Sequence, residues 1–171
     1  MQYVDHYDSP IGRMTLCSDG TCLTGLWFDG QRYYGSTLED HIVDQTEFPD
    51  KKSIFIETKK WLDRYFEGED PGRIPPMALQ GTDFYKQVWT LLQEIPYGRT
   101  VTYGQIASAI AKKRGISHMS AQAVGGAVGH NPIAVLIPCH RVLAGDGSLT
   151  GYAGGLEKKK YLLELEGISI L

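Results

Sequence analysis

Residues 67–83, EGEDPGRIPPMALQGTD, hold three prolines and three glycines. Such a stretch suits neither a helix, where proline lacks a donor and clashes with the preceding turn, nor a sheet interior, where it interrupts the ladder. It reads as a linker, and the hydrophobic pattern changes across it. Before it, QYVDHYD, IGRMTLCS and CLTGLWFD read as strands, the last two joined around Asp19-Gly20, a strong hairpin signal. From Ser53 to Phe66, Phe55, Leu62 and Phe66 with Ile54, Trp61 and Tyr65 recur at helical spacing, which predicts one amphipathic helix over that sheet.

After the linker the period is helical. Phe84, Val88, Leu91, Leu92 and Ile95 fall on one face, and Pro96-Tyr97-Gly98 stops that helix. A second helix is expected from Thr102 or Tyr103 to about Lys112, and a third from an N-cap at Ser120 to about Gly129. Two short helices with a polar connection suggest a helix-turn-helix. A last helix runs from Leu156 to Gly167, the glycine suiting a C′ position. With 171 residues there is room for two small cores. We therefore expect an α+β chain: a small N-terminal antiparallel sheet with a helix, residues 1–80 with the linker, joined to a mostly helical C-terminal domain, residues 81–171.

The net charge of −3 conceals an asymmetry. Up to residue 80 there are 8 Lys and Arg against 14 Asp and Glu, whereas residues 81–160 carry 9 against 4. A basic segment on an acidic protein points to a local polyanion site, with solvated surface charge as the plainer alternative. Cys17, Cys22 and Cys139 are odd in number and lack metal-ligand spacing, so free thiols in a reducing cytoplasm fit better than disulfides or zinc. No apolar run nears the roughly 20 residues of a membrane span, and the start MQYVDHYDSP lacks a basic, then apolar, leader. A cytoplasmic monomer without membrane contact is expected.

Three features invite chemistry. The third helix, SAQAVGGAVGHN, places Gly125 and Gly126 in its interior at about 1 kcal/mol each relative to alanine. With Ala121, Ala123 and Ala127 they leave a surface almost bare of side chains, suited to tight packing on a neighbour or to entering a groove only roughly 6 Å wide. Next, NPIAVLIPCHRV is an apolar, strand-like run that ends at Pro138 and delivers Cys139 and His140. Neighbouring side chains on a strand point to opposite faces, so a proton could pass from that thiol to that imidazole only through an irregular turn or a bridging water. Lastly, Glu166 faces the negative end of a helix dipole, where a carboxylate is mildly destabilised; it is either simply solvated, the common case, or orients an imidazole and stabilises its charged form.

PCHRV at 138–142, AVGGAVGHNP at 123–132, GYAGGL at 151–156 and LLELEG at 162–167 together resemble the O6-alkylguanine-DNA alkyltransferases, the methylated-DNA–protein-cysteine methyltransferases. The opening SPIGRMTLCSDG is similar to the sheet domain of that family, so nearly the whole chain is covered. The resemblance implies repair of double-stranded DNA by direct, single-turnover transfer of an alkyl group from O6-alkylguanine, or O4-alkylthymine, to Cys139. The base is flipped through the minor groove, and no cofactor is used. It makes His140 the water-bridged base, Glu166 its polarising partner, Asn131 a brace and Tyr103 a contact to phosphate and guanine. Tyr152 and Ala153 would wall the base pocket. Arg141, Gln122, Ala121, Ala123 and Gly125 would meet substrate or DNA. Arg99, Lys112, Lys113, Arg114 and Lys158 to Lys160 offer phosphate contacts. Two positions depart from the family: Gln122 stands where an arginine is common, and Ala134 where proline is frequent.

Overall fold

The computed structural model describes residues 1–44 and 53–170. By internal contacts the chain divides into two compact units. The first comprises Met1–Gln80 together with Pro132–Ala134, and the second Gly81–Asn131 with Val135–Leu171.

In the first unit β1 (Gln2–Ser9), β2 (Gly12–Ser18), β3 (Leu23–Phe28) and β4 (Ile42–Asp44) form one sheet in the order β3-β2-β1-β4. The hairpin at Asp19-Gly20 is present, and the Asp19 carboxylate accepts the amides of Thr21 and Cys22 across the turn. The sheet is not wholly antiparallel, because β4 pairs in parallel with β1 through Gln2↔Ile42 and Val4↔Asp44. Helix α1 (Ser53–Phe66) buries Ile54, Phe55, Trp61, Leu62 and Tyr65. Lys59 of α1 reaches the buried Asp5 of β1 at 2.8 Å and supplies the counter-charge that position needs.

The open edge of β3 is covered twice. Leu23 exchanges backbone hydrogen bonds with Pro76 and Ala78, so part of the expected linker is a strand-like edge. Leu26 does the same with Pro132 and Ala134, residues that come from far along the chain.

The second unit is helical: α2 (Asp83–Gln93), α3 (Tyr103–Arg114), α4 (Ala121–Gly129) and α5 (Leu156–Leu165). Its caps follow the sequence closely. Thr82 caps α2; Thr102 and Gln105 form a capping box on α3, which ends at left-handed Gly115; Ser120 caps α4. Helices α3 and α4 pack together as a helix-turn-helix, with α2 also against α4. Trp89 of α2 donates to the Ala127 carbonyl at 2.8 Å and fixes that crossing. Two short strands, β5 (Val101–Thr102) and β6 (Val142–Leu143), pair in parallel. Since β5 runs directly into Tyr103 and β6 directly follows Arg141, this small ladder sets the start of α3 beside the PCHR segment. No helix among the described residues is long and apolar enough to cross a membrane.

Candidate active site and nucleic-acid interface

All residues from Asn131 to Leu143 are buried, yet no regular strand runs through residues 135–138. The strand-like run expected before Cys139 is instead an irregular, internally braced loop. Val135 holds a φ of 69°, a left-handed conformation that a β-branched residue adopts only when its surroundings enforce it. The Asn131 amide donates to the Ile137 carbonyl at 2.7 Å and spans the loop. Pro138, at φ −82° and ψ 62°, centres an inverse γ-turn closed by the Cys139 amide on the Ile137 carbonyl at 2.8 Å. Cys139 to Arg141 then make a single 3-10 turn, so the strand alternation that would separate Cys139 from His140 does not apply.

His140 Nε2 lies 2.6 Å from Oε2 of Glu166, and both side chains are fully buried. The carboxylate is not solvated at its helix end. Its other oxygen, Oε1, accepts from Arg141 Nε at 2.8 Å and from the Gly98 amide at 2.9 Å. Burial pushes the Glu166 carboxyl up, but His140, Arg141 and the Gly98 amide outweigh it and bring it down to about 2. Burial holds His140 below the usual imidazole range; Glu166 opposes this, whereas the charges of Arg141 and Lys159 reinforce it. Burial thus favours the uncharged form of the imidazole beside the Glu166 carboxylate. Gly98, read from sequence only as a helix stop, is at φ 77°, and a Cβ there would meet the Glu166 carbonyl at 3.4 Å.

Cys139 is 6% exposed. Burial pushes its thiol up, while the Asn131 amide and the Lys159 charge draw it down. Tyr103 donates its hydroxyl to the Thr150 carbonyl at 3.0 Å. Among the described residues the buried Tyr152 hydroxyl has no hydrogen-bond partner. Burial first, and then the neighbouring Cys139, raise both phenols, so both keep their protons. Ala153 is half-buried beside Tyr152 in sequence.

Two basic residues sit otherwise than the sequence suggested. Arg141, expected at the substrate or DNA face, is buried. It donates to Glu166 and to the Ile95 carbonyl, and its guanidinium lies 5.7 Å from the Tyr97 ring centroid. Lys159, grouped with the phosphate contacts, is 0% exposed and donates to the carbonyls of Val142, Thr150 and Gly151 at 2.6, 3.1 and 3.0 Å. A signal for Lys159 was available: with Leu162, Leu163 and Glu166 it falls at i, i+3, i+4 and i+7 on the buried stripe of α5. Arg99, Lys112, Lys113, Arg114 and Lys160 are exposed, although Arg114 also bonds Gln87 and stacks on Phe84.

Helix α4 buries Val124, Ala127 and Val128 and exposes Ala121, Gln122, Ala123 and Gly126, with Gly125 half-buried. A Cβ at Gly125 or Gly126 would meet nothing within 4 Å. Tight packing on a neighbouring helix is therefore not what these glycines serve, and the bare face lies open.

The fold and the site define an α+β protein whose helix-turn-helix domain carries a buried cysteine next in sequence to a buried histidine–glutamate pair. Residues 83–168 match the family described as 6-O-methylguanine DNA methyltransferase, DNA binding domain, and residues 3–71 match its ribonuclease-like domain. The methylated-DNA–protein-cysteine methyltransferase of Haemophilus influenzae is 40% identical over 97% of this chain and 87% of its own length. That of Methanosarcina acetivorans is 41% identical, covering 96% of this chain and 98% of its own. A Mycobacterium tuberculosis OGT solved in complex with DNA is similar at 41% identity and a TM-score of 0.79, covering 96% of this chain and 92% of that one. The chain belongs to the 6-O-methylguanine DNA methyltransferase family. Its activity is methylated-DNA–protein-cysteine methyl transfer, an act of DNA repair.

Proposed function

We propose that this chain takes the alkyl group of O6-alkylguanine in double-stranded DNA onto its own Cys139, once per molecule and acting as a monomer. The observation that carries this reading is the 3-10 turn that begins at Cys139 and commits Nε2 of His140 to Glu166 at 2.6 Å. With Nε2 engaged, the imidazole accepts the thiol proton at Nδ1 through a bridging water. The sulfur then forms its bond to the alkyl carbon as the carbon–O6 bond breaks, and the electron pair leaves on the purine. Hydrogen bonding from the Tyr103 hydroxyl assists that departure and a proton returns to the base. The product is a thioether, which nothing in this chemistry reverses.

A thiol this deep meets an alkyl carbon only if the base leaves its stack. The bare face of α4, with Ala121, Ala123 and Gly125, suits entry into the minor groove. Residues 81–171 thus act as the DNA-binding and alkyl-acceptor domain, with Asn131 bracing the turn and Tyr152 and Ala153 walling the base. The exposed Arg99, Lys112, Lys113, Arg114 and Lys160 meet phosphates.

Mass spectrometry of the protein mixed with an O6-methylguanine oligonucleotide tests the reading. One methyl group on the Cys139 peptide and one equivalent of repaired base are expected. Sustained turnover beyond one equivalent, or methyl on another residue, rejects it. A parallel O4-methylthymine oligonucleotide shows whether that base is also taken.

Gln122 supplies a second expectation. It is exposed on α4, and its amide can hydrogen bond an orphaned base but has no charge and stacks less well than a guanidinium. Gln122→Ala should slow repair of a duplex while leaving reaction with free O6-methylguanine nearly unchanged. Gln122→Arg should speed the duplex reaction. Equal single-turnover rates for all three on a duplex remove Gln122 from the interface.

A further inference from the structure

Glu166 offers one oxygen to the imidazole and has the other taken. Arg141 and the Gly98 amide both donate to Oε1, leaving Oε2 to His140. Arg141 is itself anchored at three points, on Glu166, on the Ile95 carbonyl at 2.8 Å and against the Tyr97 ring, and is 8% exposed. Its placement leaves no role at a phosphate, and its rigid fork matches the carboxylate and carbonyl it serves.

We propose that Arg141 is a positioning residue for alkyl transfer: by occupying Oε1 it neutralises Glu166 on one side and keeps His140 uncharged, ready to receive the Cys139 proton. The inference rests on the function proposed above. Its physical content is a count of charge in a buried place. Arg141, Glu166 and neutral His140 sum to zero, and a further proton makes the group cationic, which burial opposes. Without Arg141 the Glu166–His140 pair is an anion, and a proton from solvent makes it neutral, which burial favours. His140 also feels Lys159 from α5, whose positive charge acts in the same sense as Arg141, while Glu166 opposes both. Glu166 is stabilised as a carboxylate by His140, Arg141 and the Gly98 amide.

The consequence is a pH dependence of defined sign. Transfer of the thiol proton to His140 moves a proton within the site, so its extent is level with pH while the imidazole is neutral at rest. Once solvent protonates the imidazole, the base is filled and the rate falls. Losing Arg141 makes the pair more basic and moves that fall to higher pH.

The test is the single-turnover rate of Cys139 methylation against pH for wild type, Arg141→Gln and Arg141→Lys, read by mass spectrometry of the Cys139 peptide. In Arg141→Gln the acid limb should move up by about one pH unit or more, the size of effect one close charge exerts. Arg141→Lys, which keeps the charge, should return the limb toward wild type. A uniform loss of rate with the limb unmoved overturns the proposal, since a merely structural arginine acts at every pH alike. Ring-nitrogen NMR of His140 in the wild-type protein gives a readout that needs no variant to fold. A neutral ring at neutral pH is expected, and a charged one overturns the proposal. If wild type fails to methylate Cys139 while the ring is neutral, the function proposed above has failed and the electrostatic role of Arg141 has not.

Discussion

Replacing Cys139 with alanine is expected to abolish methyl transfer and to leave DNA binding nearly unchanged. The thiol contributes almost nothing to the surface, being 6% exposed, whereas the open face of α4 and the exposed basic residues lie on other elements. Removing one buried sulfur costs roughly 1 kcal/mol of packing, which a domain of this size tolerates. Binding should also keep its salt dependence, because the number of neutralised phosphates is untouched. Titration of a labelled O6-methylguanine duplex at two salt concentrations, beside mass spectrometry for methyl transfer, measures both quantities. A folded Cys139→Ala protein that has lost binding as well as transfer contradicts this separation of roles.

Lys159→Met is expected to be the most damaging change outside Cys139, His140 and Glu166. The ammonium ties together β6 and the 150–151 loop through three carbonyls, and methionine fills similar space with no donor. Orphaned carbonyls cost about 1–3 kcal/mol each, offset by release of the buried charge, so a net destabilisation of about 2–4 kcal/mol is expected. Transfer should slow as well, since the same charge draws the Cys139 thiol down. The lysine also leaves a pH signature. Burial lowers it from 10.5 to about 8, so between those values the unfolded chain holds a proton that the folded chain has released. Stability contributed by this group therefore rises with pH across that window. Denaturant titrations at pH 8 and pH 10 should show the gain in wild type and lose it in Lys159→Met. The same pH dependence in both proteins assigns it elsewhere.

Most of the helical framework was legible because caps and periodicity are local signals. Ser120 caps its helix where the side-chain chemistry put the start. Cys139, His140 and Glu166 stood out as residue types in an odd setting: a thiol after proline and a carboxylate at the wrong end of a dipole. What stayed hidden depends on partners remote in sequence. The parallel pairing of β4 on β1 and the bridge from Ile133 to Leu26 leave no period of their own. Lys159 was misplaced because a cation in a charge-rich segment resembles solvated surface until its carbonyl partners are known, and Arg141, set at the DNA by resemblance alone, because its carboxylate partner lies 25 residues away. The left-handed Val135 had no signal at all, since β-branched residues are poor candidates for that region.

The doubly covered edge of β3 limits how this protein can be taken apart. Pro132–Ala134 belongs to the first unit though it lies inside the sequence of the second. A gene cut at Gly81 thus yields an amino-terminal fragment whose β3 has donors and acceptors bare at Leu26, a template for sticking to other chains. It also yields a carboxy-terminal fragment carrying an unpaired strip just ahead of Cys139. The units are interlaced along the gene, so recombination that swaps one for a foreign counterpart must carry these three residues with the sheet they complete.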